Sequence, residues 1–406
     1  MKMRSRRAVA TVAAFMVVAL AVTGCGGTKA SNTEGADSAG KVIKIGIGAP
    51  LTAGSVAQGQ GIERGVRLAL KQASESPEAK ELGITFEGVA GDDQGDPKTG
   101  VTQANQFASD TNLLGVVGHL NSGVTIPASK VYNDAKIVMV SPAATNPALT
   151  TQGFPNVFRT CTIDTVQGPA GAVAMLSEKV GAKTVVVVDD STPYGEGLAA
   201  EFGKEFEAKG GKVLFAEKTS DKDSDFNALS TKIKAANPDI VYYGGTYNAG
   251  ALLSKQMKAA GVEVPMMGGD GLYDPEYVNL GGETTEGDLC TSVGLPITEL
   301  ANGQAFADAY AAEYPENEIG AYDAYSYDAA KVITDAILKI AKEQGVDKVS
   351  SPAARDAIIA AVAATDIESV TGRVAFDANG DTLNKAITVY RVEGGEWKPF
   401  IVPEQQ

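Results

Sequence analysis

Histidine occurs once in the 406 residues, at His119, and cysteine three times, at Cys25, Cys161 and Cys290. That scarcity excludes metal sites built from spaced Cys and His, because no two of these residues stand at ligand spacing. It also leaves a single imidazole for nucleophilic catalysis. His119 lies three positions before Ser122, but neighbours on an extended backbone point apart, so this spacing sets up no nucleophile–base pair. The G-x-S-x-G elbow and the phosphate-cradling G-x-x-x-x-G-K-[ST] are both absent. "GIGAPL" carries Gly46 and Gly48 but has Leu51 where a dinucleotide fingerprint needs its third glycine. The expectation is a protein that is not an enzyme and holds neither cofactor nor metal. Basic residues are scarce too: 35 Lys and Arg stand against 50 Asp and Glu, a net charge of −15 with no basic stripe. Nucleic acid is thereby excluded as a partner, whereas a zwitterionic small molecule answers to the local groups of a cleft.

Long hydrophobic runs are missing except at the start. Lys2, Arg4, Arg6 and Arg7 precede an apolar run from Ala8 to Val22, followed by "AVTGC". Charged, apolar and small segments in that order read as a secretory signal (1–24). The run is shorter than the roughly 20 residues that span a bilayer. "AVTGC" resembles a bacterial lipobox, which implies cleavage before Cys25 and a lipid on its thiol, outside the cytoplasm at the cell membrane. Removing four positive and no negative residues takes the charge from −15 to −19. The stretch 25–40, "GGTKASNTEGADSAG" after the cysteine, reads as a flexible tether.

From Lys41 onward, apolar β-branched runs alternate with helical patterns. "VIKIGIGAP", "ITFEGVAGDD", "LLGVVGHLNSG" and "IVMVSPAAT" form one set of strands; "KTVVVVDD", "KVLFAEKT", "DIVYYGG" and "VPMMGGDG" form another. Near-continuous apolar runs indicate parallel strands covered on both faces. The β-α-β order makes the fold class α/β, with two doubly wound parallel-sheet lobes. About 365 folded residues exceed what one core holds, so two lobes are expected. Helices are expected at about 193–209, 224–236, 248–260, 299–314, 322–344 and 352–364, and late strands at "GRVAF" and "AITVYRV".

One short stretch poses a question. "MVSPAATNPALT" (139–150) ends an apolar run with serine and proline and sets a threonine three residues on. Such a run is compatible with ordinary turn chemistry. It is equally a rim of hydroxyls and free N–H groups at the carboxyl end of a parallel strand, where open α/β sheets bind ligands. Cys161 and Cys290, far apart in the sequence, are readable as a bridge or as two buried thiols.

Eight stretches decide between such alternatives when taken together: "DDQGDPKTGV", "GHLNSGVTIPAS", "SPAATNPALT", "FRTCTIDTVQGPA", "DDSTPYGEGLA", "DIVYYGG", "MMGGDG" and "GRVAFDANGD". In order and spacing they resemble the branched-chain amino acid (leucine/isoleucine/valine) binding proteins of ABC importers, a type I periplasmic-binding-protein family, over nearly all of 41–403. The resemblance implies two lobes joined by three crossings, one built from 41–160 and 291–387, the other from 162–290 and 388–406. It implies a monomeric chain that captures an amino acid and delivers it to permease and ATPase subunits. Ser122, Ala143 and Thr145 would receive the ligand carboxylate. Asp270 would hold its ammonium, with Tyr194, Tyr247 (or Thr246) and Tyr322 lining the cleft. On the family topology Cys161 and Cys290 lie on two crossings, which implies a disulfide. Three departures stand out: Gly95 and Asn121 replace the family's first-lobe cysteines, Gly59 replaces an aromatic and leaves the pocket open, and Asp270 stands for a glutamate. Related branches take amides, urea or aromatic acids, and a receptor-type sensor acting with a membrane partner is the reading from another class.

Overall fold

Four helices of this chain begin with the same local device, a Ser, Thr or Asp followed by proline. Ser76-Pro77, Asp96-Pro97, Thr192-Pro193 and Asp274-Pro275 each place a side-chain oxygen on free N–H groups of the first turn. Proline at the first helical position sacrifices only an N–H that has no acceptor there. The computed structural model describes residues 40–349 and 351–402. The expected signal at 1–24, the lipidation site Cys25 and, apart from Gly40, the tether at 25–40 lie outside the described residues.

The first sheet comprises β1 (Lys41–Ala49), β2 (Ile84–Asp92), β3 (Leu113–Gly118), β4 (Val138–Ser141) and β5 (Val157–Arg159), all parallel, in the order β2-β1-β3-β4-β5. Its connecting helices are α1 (Val56–Glu75), α2 (Pro77–Leu82), α3 (Pro97–Ser109) and α4 (Ser122–Asp134). The second lobe starts with α5 (Asp164–Leu176), and its sheet repeats the plan. β6 (Thr184–Asp189), β7 (Lys212–Lys218), β8 (Ile240–Gly244), β9 (Met266–Gly268) and β10 (Leu289–Ser292) are parallel, in the order β7-β6-β8-β9-β10. Helices α6 (Pro193–Ala208), α7 (Asn227–Ala236), α8 (Tyr247–Ala259) and α9 (Pro275–Gly281) connect them. In both sheets the order reverses beside the first strand, the place where such folds bind ligands.

The remaining chain returns to both lobes. Helices α10 (Gly303–Glu313), α11 (Asp323–Gln344) and α12 (Arg355–Ala363) precede a separate hairpin of β11 (Asp366–Ser369) and β12 (Gly372–Ala375). β13 (Thr388–Glu393) then pairs antiparallel with β10, and β14 (Glu396–Ile401) antiparallel with β13, extending the second sheet. The chain thus passes between the sheets three times: after β5, after β10 and before β13.

Burial on both faces explains the continuous apolar runs. Val186 and Val188 of β6 pack with Val241, Tyr243 and Met257 on one face; Val185 and Val187 pack with Phe202, Phe206 and Tyr242 on the other. Ile43, Ile45 and Ile47 of β1 meet Val66 of α1 and Ile333 and Ile337 of α11. Among the described residues no helix is long and apolar enough to cross a membrane.

The expected disulfide is not formed: Cys161 and Cys290 are free and fully buried. They belong to different cores, Cys161 to that of the first sheet with its Sγ directed at the Ala144 carbonyl (3.8 Å), and Cys290 to that of the second. Cys290 is also pinned mid-strand between Gly268 and Tyr390.

Candidate functional site

At the carboxyl end of β3 the chain turns through Leu120 and Asn121 into α4. The Asn121 carbonyl accepts from Val124 and Thr125, and the N–H groups of Ser122 and Gly123 open the helix without an acceptor among the described residues. Next to it, the loop after β4 is folded by Ser141, whose hydroxyl donates to the His119 carbonyl (2.9 Å) and accepts from the Ala144 N–H (3.0 Å). The Asn146 N–H reaches the Ser122 hydroxyl at 3.3 Å and ties the two loops together. Thr145, fully buried, is left over: among the described residues neither its N–H nor its hydroxyl has a partner. A buried donor without an acceptor is costly and uncommon. Helix N-terminus, free N–H and hydroxyl together are a donor set that an anion could satisfy.

The second lobe supplies the opposite charge. Asp270 follows β9 and is fully buried; the Tyr194 hydroxyl donates to its Oδ1 and the Tyr322 hydroxyl to its Oδ2, each at 2.8 Å. Tyr194 in turn accepts from the Gly271 N–H at 2.9 Å. Burial lifts the Asp270 carboxyl above its ordinary range, while the two tyrosines and Gln167 pull it back. An ionised carboxylate offers about four acceptor positions, so these bonds leave room for an ammonium.

Between the two lobes lies a small, nearly filled cleft. Leu120, Asn121, Ser122 and Ala143 line it from the first lobe; Tyr194, Thr246 and Gly271 line it from the second, with Gln58 and Tyr322 completing the wall. Hydrogen bonds across the lobes hold it shut: Asn146 Nδ2 to the Pro193 carbonyl (2.6 Å), Gln58 Nε2 to the Gly271 carbonyl (3.3 Å) and the Ala57 N–H to the Tyr247 hydroxyl (3.1 Å).

Ser122, Ala143, Tyr194 and Tyr322 line one cleft; Asp270 is not in its lining but is bonded to Tyr194 and Tyr322, and Thr145 is buried and not in the lining either. Tyr247 does not line the cavity: its hydroxyl is used on Ala57, and Thr246 takes the wall position. Gly59 does not open the pocket either. A Cβ there would stand 2.0 Å from the Pro50 carbonyl, so this glycine lets α1 approach the end of β1. Gln58 beside it is the wall residue that sequence reasoning missed; a polar side chain on the buried stripe of α1, only 2 % exposed, was the available signal. Asp164 was missed as well. It opens α5 directly after the first crossing, and its N–H donates to the Thr145 carbonyl (3.0 Å), but neither carboxylate oxygen has a hydrogen-bond partner. Burial lifts this carboxyl to about 7; the Thr145 hydroxyl lies close enough to ease the shift without bond-forming geometry.

Two lobes of like topology, closed over a cavity with an anion-binding end and a buried acid, define a hinged solute-binding protein. The sequence profile described as "Periplasmic binding protein" matches residues 42–396. The Leu/Ile/Val-binding protein homolog 1 of Brucella abortus is 35% identical over 359 residues, 87% of this chain and 91% of that protein. The leucine-, isoleucine-, valine-, threonine- and alanine-binding protein of Pseudomonas aeruginosa is 36% identical over 355 residues, 87% of this chain and 90% of that one. A leucine-binding protein, LivK, from Thermotoga maritima superposes with a TM-score of 0.79 at 30% identity, covering 89% of this chain and 98% of its own. The chain belongs to the periplasmic binding protein family, with the type I fold.

Proposed function

We propose that this chain captures a branched-chain or other small aliphatic amino acid outside the cytoplasm and hands it to an ABC importer, tethered to the membrane by a lipid on Cys25. The observation that carries the reading is the pairing of a buried donor set, at Thr145 and the start of α4, that has no acceptor among the described residues, with a buried carboxylate, Asp270, on the opposite lobe. An α-amino acid satisfies both ends at once, and only when the lobes are closed. That differential contact is what lets a ligand shift the hinge equilibrium. The likeness to binding proteins for leucine, isoleucine and valine supports the side-chain class. The site residues act as ligand contacts rather than catalysts. Delivery requires permease and ATPase partners, with the chain itself acting as a monomer.

A thermal-shift screen of the common amino acids tests the reading, because a ligand bound only by the folded, closed form raises the unfolding temperature. Leucine, isoleucine or valine should give the largest shifts. A panel in which benzoate or urea shifts the transition and no amino acid does would contradict it.

A further inference from the structure

Arg159 is the largest of the fully buried side chains, and nothing in the site as described employs it. It ends β5 at the edge of the first sheet, paired in register with Ser141 of β4. Its guanidinium makes four contacts in different directions. Nε donates to Asp381 Oδ1 (2.6 Å), Nη1 to the carbonyls of Ala144 (2.7 Å) and Asn146 (3.1 Å), and Nη2 to the Thr150 hydroxyl (2.7 Å). Thr150 also donates to Asp381 Oδ1 at 3.0 Å. Asp381 arrives from the turn before β13, whose Gly380 carbonyl accepts the Arg159 N–H (3.0 Å).

We propose that Arg159, anchored by Asp381, is a positioning residue that sets the anion-binding end of the cleft by fixing the peptide plane between Ala144 and Thr145. The inference rests on the reading of the cleft as an amino acid site and adds the device that shapes it. A trans peptide is planar, so a carbonyl and the N–H that follows it point in opposite directions. With the Ala144 carbonyl held on Arg159, the Thr145 N–H faces away from the guanidinium, which accounts for a buried N–H that has no protein acceptor. The second carbonyl on Nη1, that of Asn146, fixes the 146–147 peptide, so Arg159 holds the backbone on both sides of Thr145 and Asn146. Asp381 neutralises the guanidinium at contact distance, so its effect on a bound anion is one of geometry more than of net charge. Lysine cannot substitute: the four bonds need donors spread over a rigid planar fork, and an ammonium is a point charge on a flexible stem.

Arg159→Lys and Asp381→Asn in the full chain test this with two readouts. In calorimetry against L-leucine and L-leucinol, which keeps the ammonium and side chain but lacks the carboxylate, Arg159→Lys should weaken leucine tenfold or more. The preference for leucine over leucinol should collapse by a similar factor, and Asp381→Asn should show a milder form of the same pattern. In hydrogen exchange on ligand-free protein, the segment 142–150 should exchange at least tenfold faster in either variant, with β7 unchanged. Equal weakening of both ligands together with unchanged exchange at 142–150 would overturn the proposal. Should the parent protein bind neither ligand, the amino acid reading fails. The exchange experiment then decides the clamp by itself: acceleration confined to 142–150 supports it and its absence rejects it.

Discussion

Asp164 places a buried carboxyl at the start of α5, just after the first crossing, with neither oxygen hydrogen-bonded among the described residues. Its carboxyl titrates near 7 in the folded protein, because burial disfavours the ionised form; in an unfolded chain it titrates near 3.9. A raised acid means that the folded state holds the proton over that interval and the unfolded state does not. Stability therefore falls as pH rises from about 4 to about 7, and the full penalty is present above that range. Asp274, also lifted to about 7 by burial, and Asp190 and Asp288, lifted to about 6, act with the same sign. Asp164→Asn removes one of these contributions, so its unfolding temperature should exceed the parent's most at pH 8 and approach it near pH 4. Thermal melts across that range check this, and an identical pH slope in parent and variant would contradict it. The two thiols belong to the same scale. Burial holds both Cys161 and Cys290 well above the usual thiol range, so a thiol reagent should leave both unlabelled in native protein and label both after unfolding without reductant. Failure to label them in the unfolded chain would reinstate the bridge.

At the level of elements, α1 and α11 meet backbone to backbone in the first lobe. A Cβ at Gly65 would stand 2.1 Å from the Asp323 carbonyl oxygen and 2.3 Å from Ser326 Oγ. Gly65→Ala gains about 1 kcal/mol of helix propensity, but forcing backbone apart in a packed interface costs typically 1–3 kcal/mol and sometimes more. The expected outcome is net destabilisation, read as a lower denaturation midpoint, and a more stable variant would show that the helices move apart freely. Elements of this kind were legible in the sequence where burial imposed a pattern. The expected helix at 322–344 is α11 (Asp323–Gln344), and the run of four valines is β6 because both its faces are covered. Short edge strands left no such trace. β5 is three residues long, and β14 carries Glu396, Lys398 and Pro399, which only an edge position tolerates. Site residues followed the same rule. Ser122 and Tyr194 stand at strand-to-helix turns where topology alone predicts ligand contact, whereas Arg159 and Asp381 meet only in three dimensions, 222 positions apart.

For the whole molecule, closure is the quantity that links fold to function. Tyr322 from the first lobe's late helix region and Tyr194 from the second meet on one carboxylate, and Asn146, Gln58 and Ala57 bridge the lobes around it. On the proposed reading, a ligand ammonium on Asp270 would join an acid that both lobes already touch, so loss of that charge should weaken binding and closure together. The direct test is calorimetric titration of L-leucine into the parent protein and into Asp270→Asn, which preserves the shape of the side chain and removes its charge. Leaving a desolvated ammonium without its counter-charge should cost about 2–5 kcal/mol, a loss of affinity of roughly 30-fold or more. Equal affinity in the two proteins would contradict the assignment of Asp270 as the group that holds the ligand's ammonium.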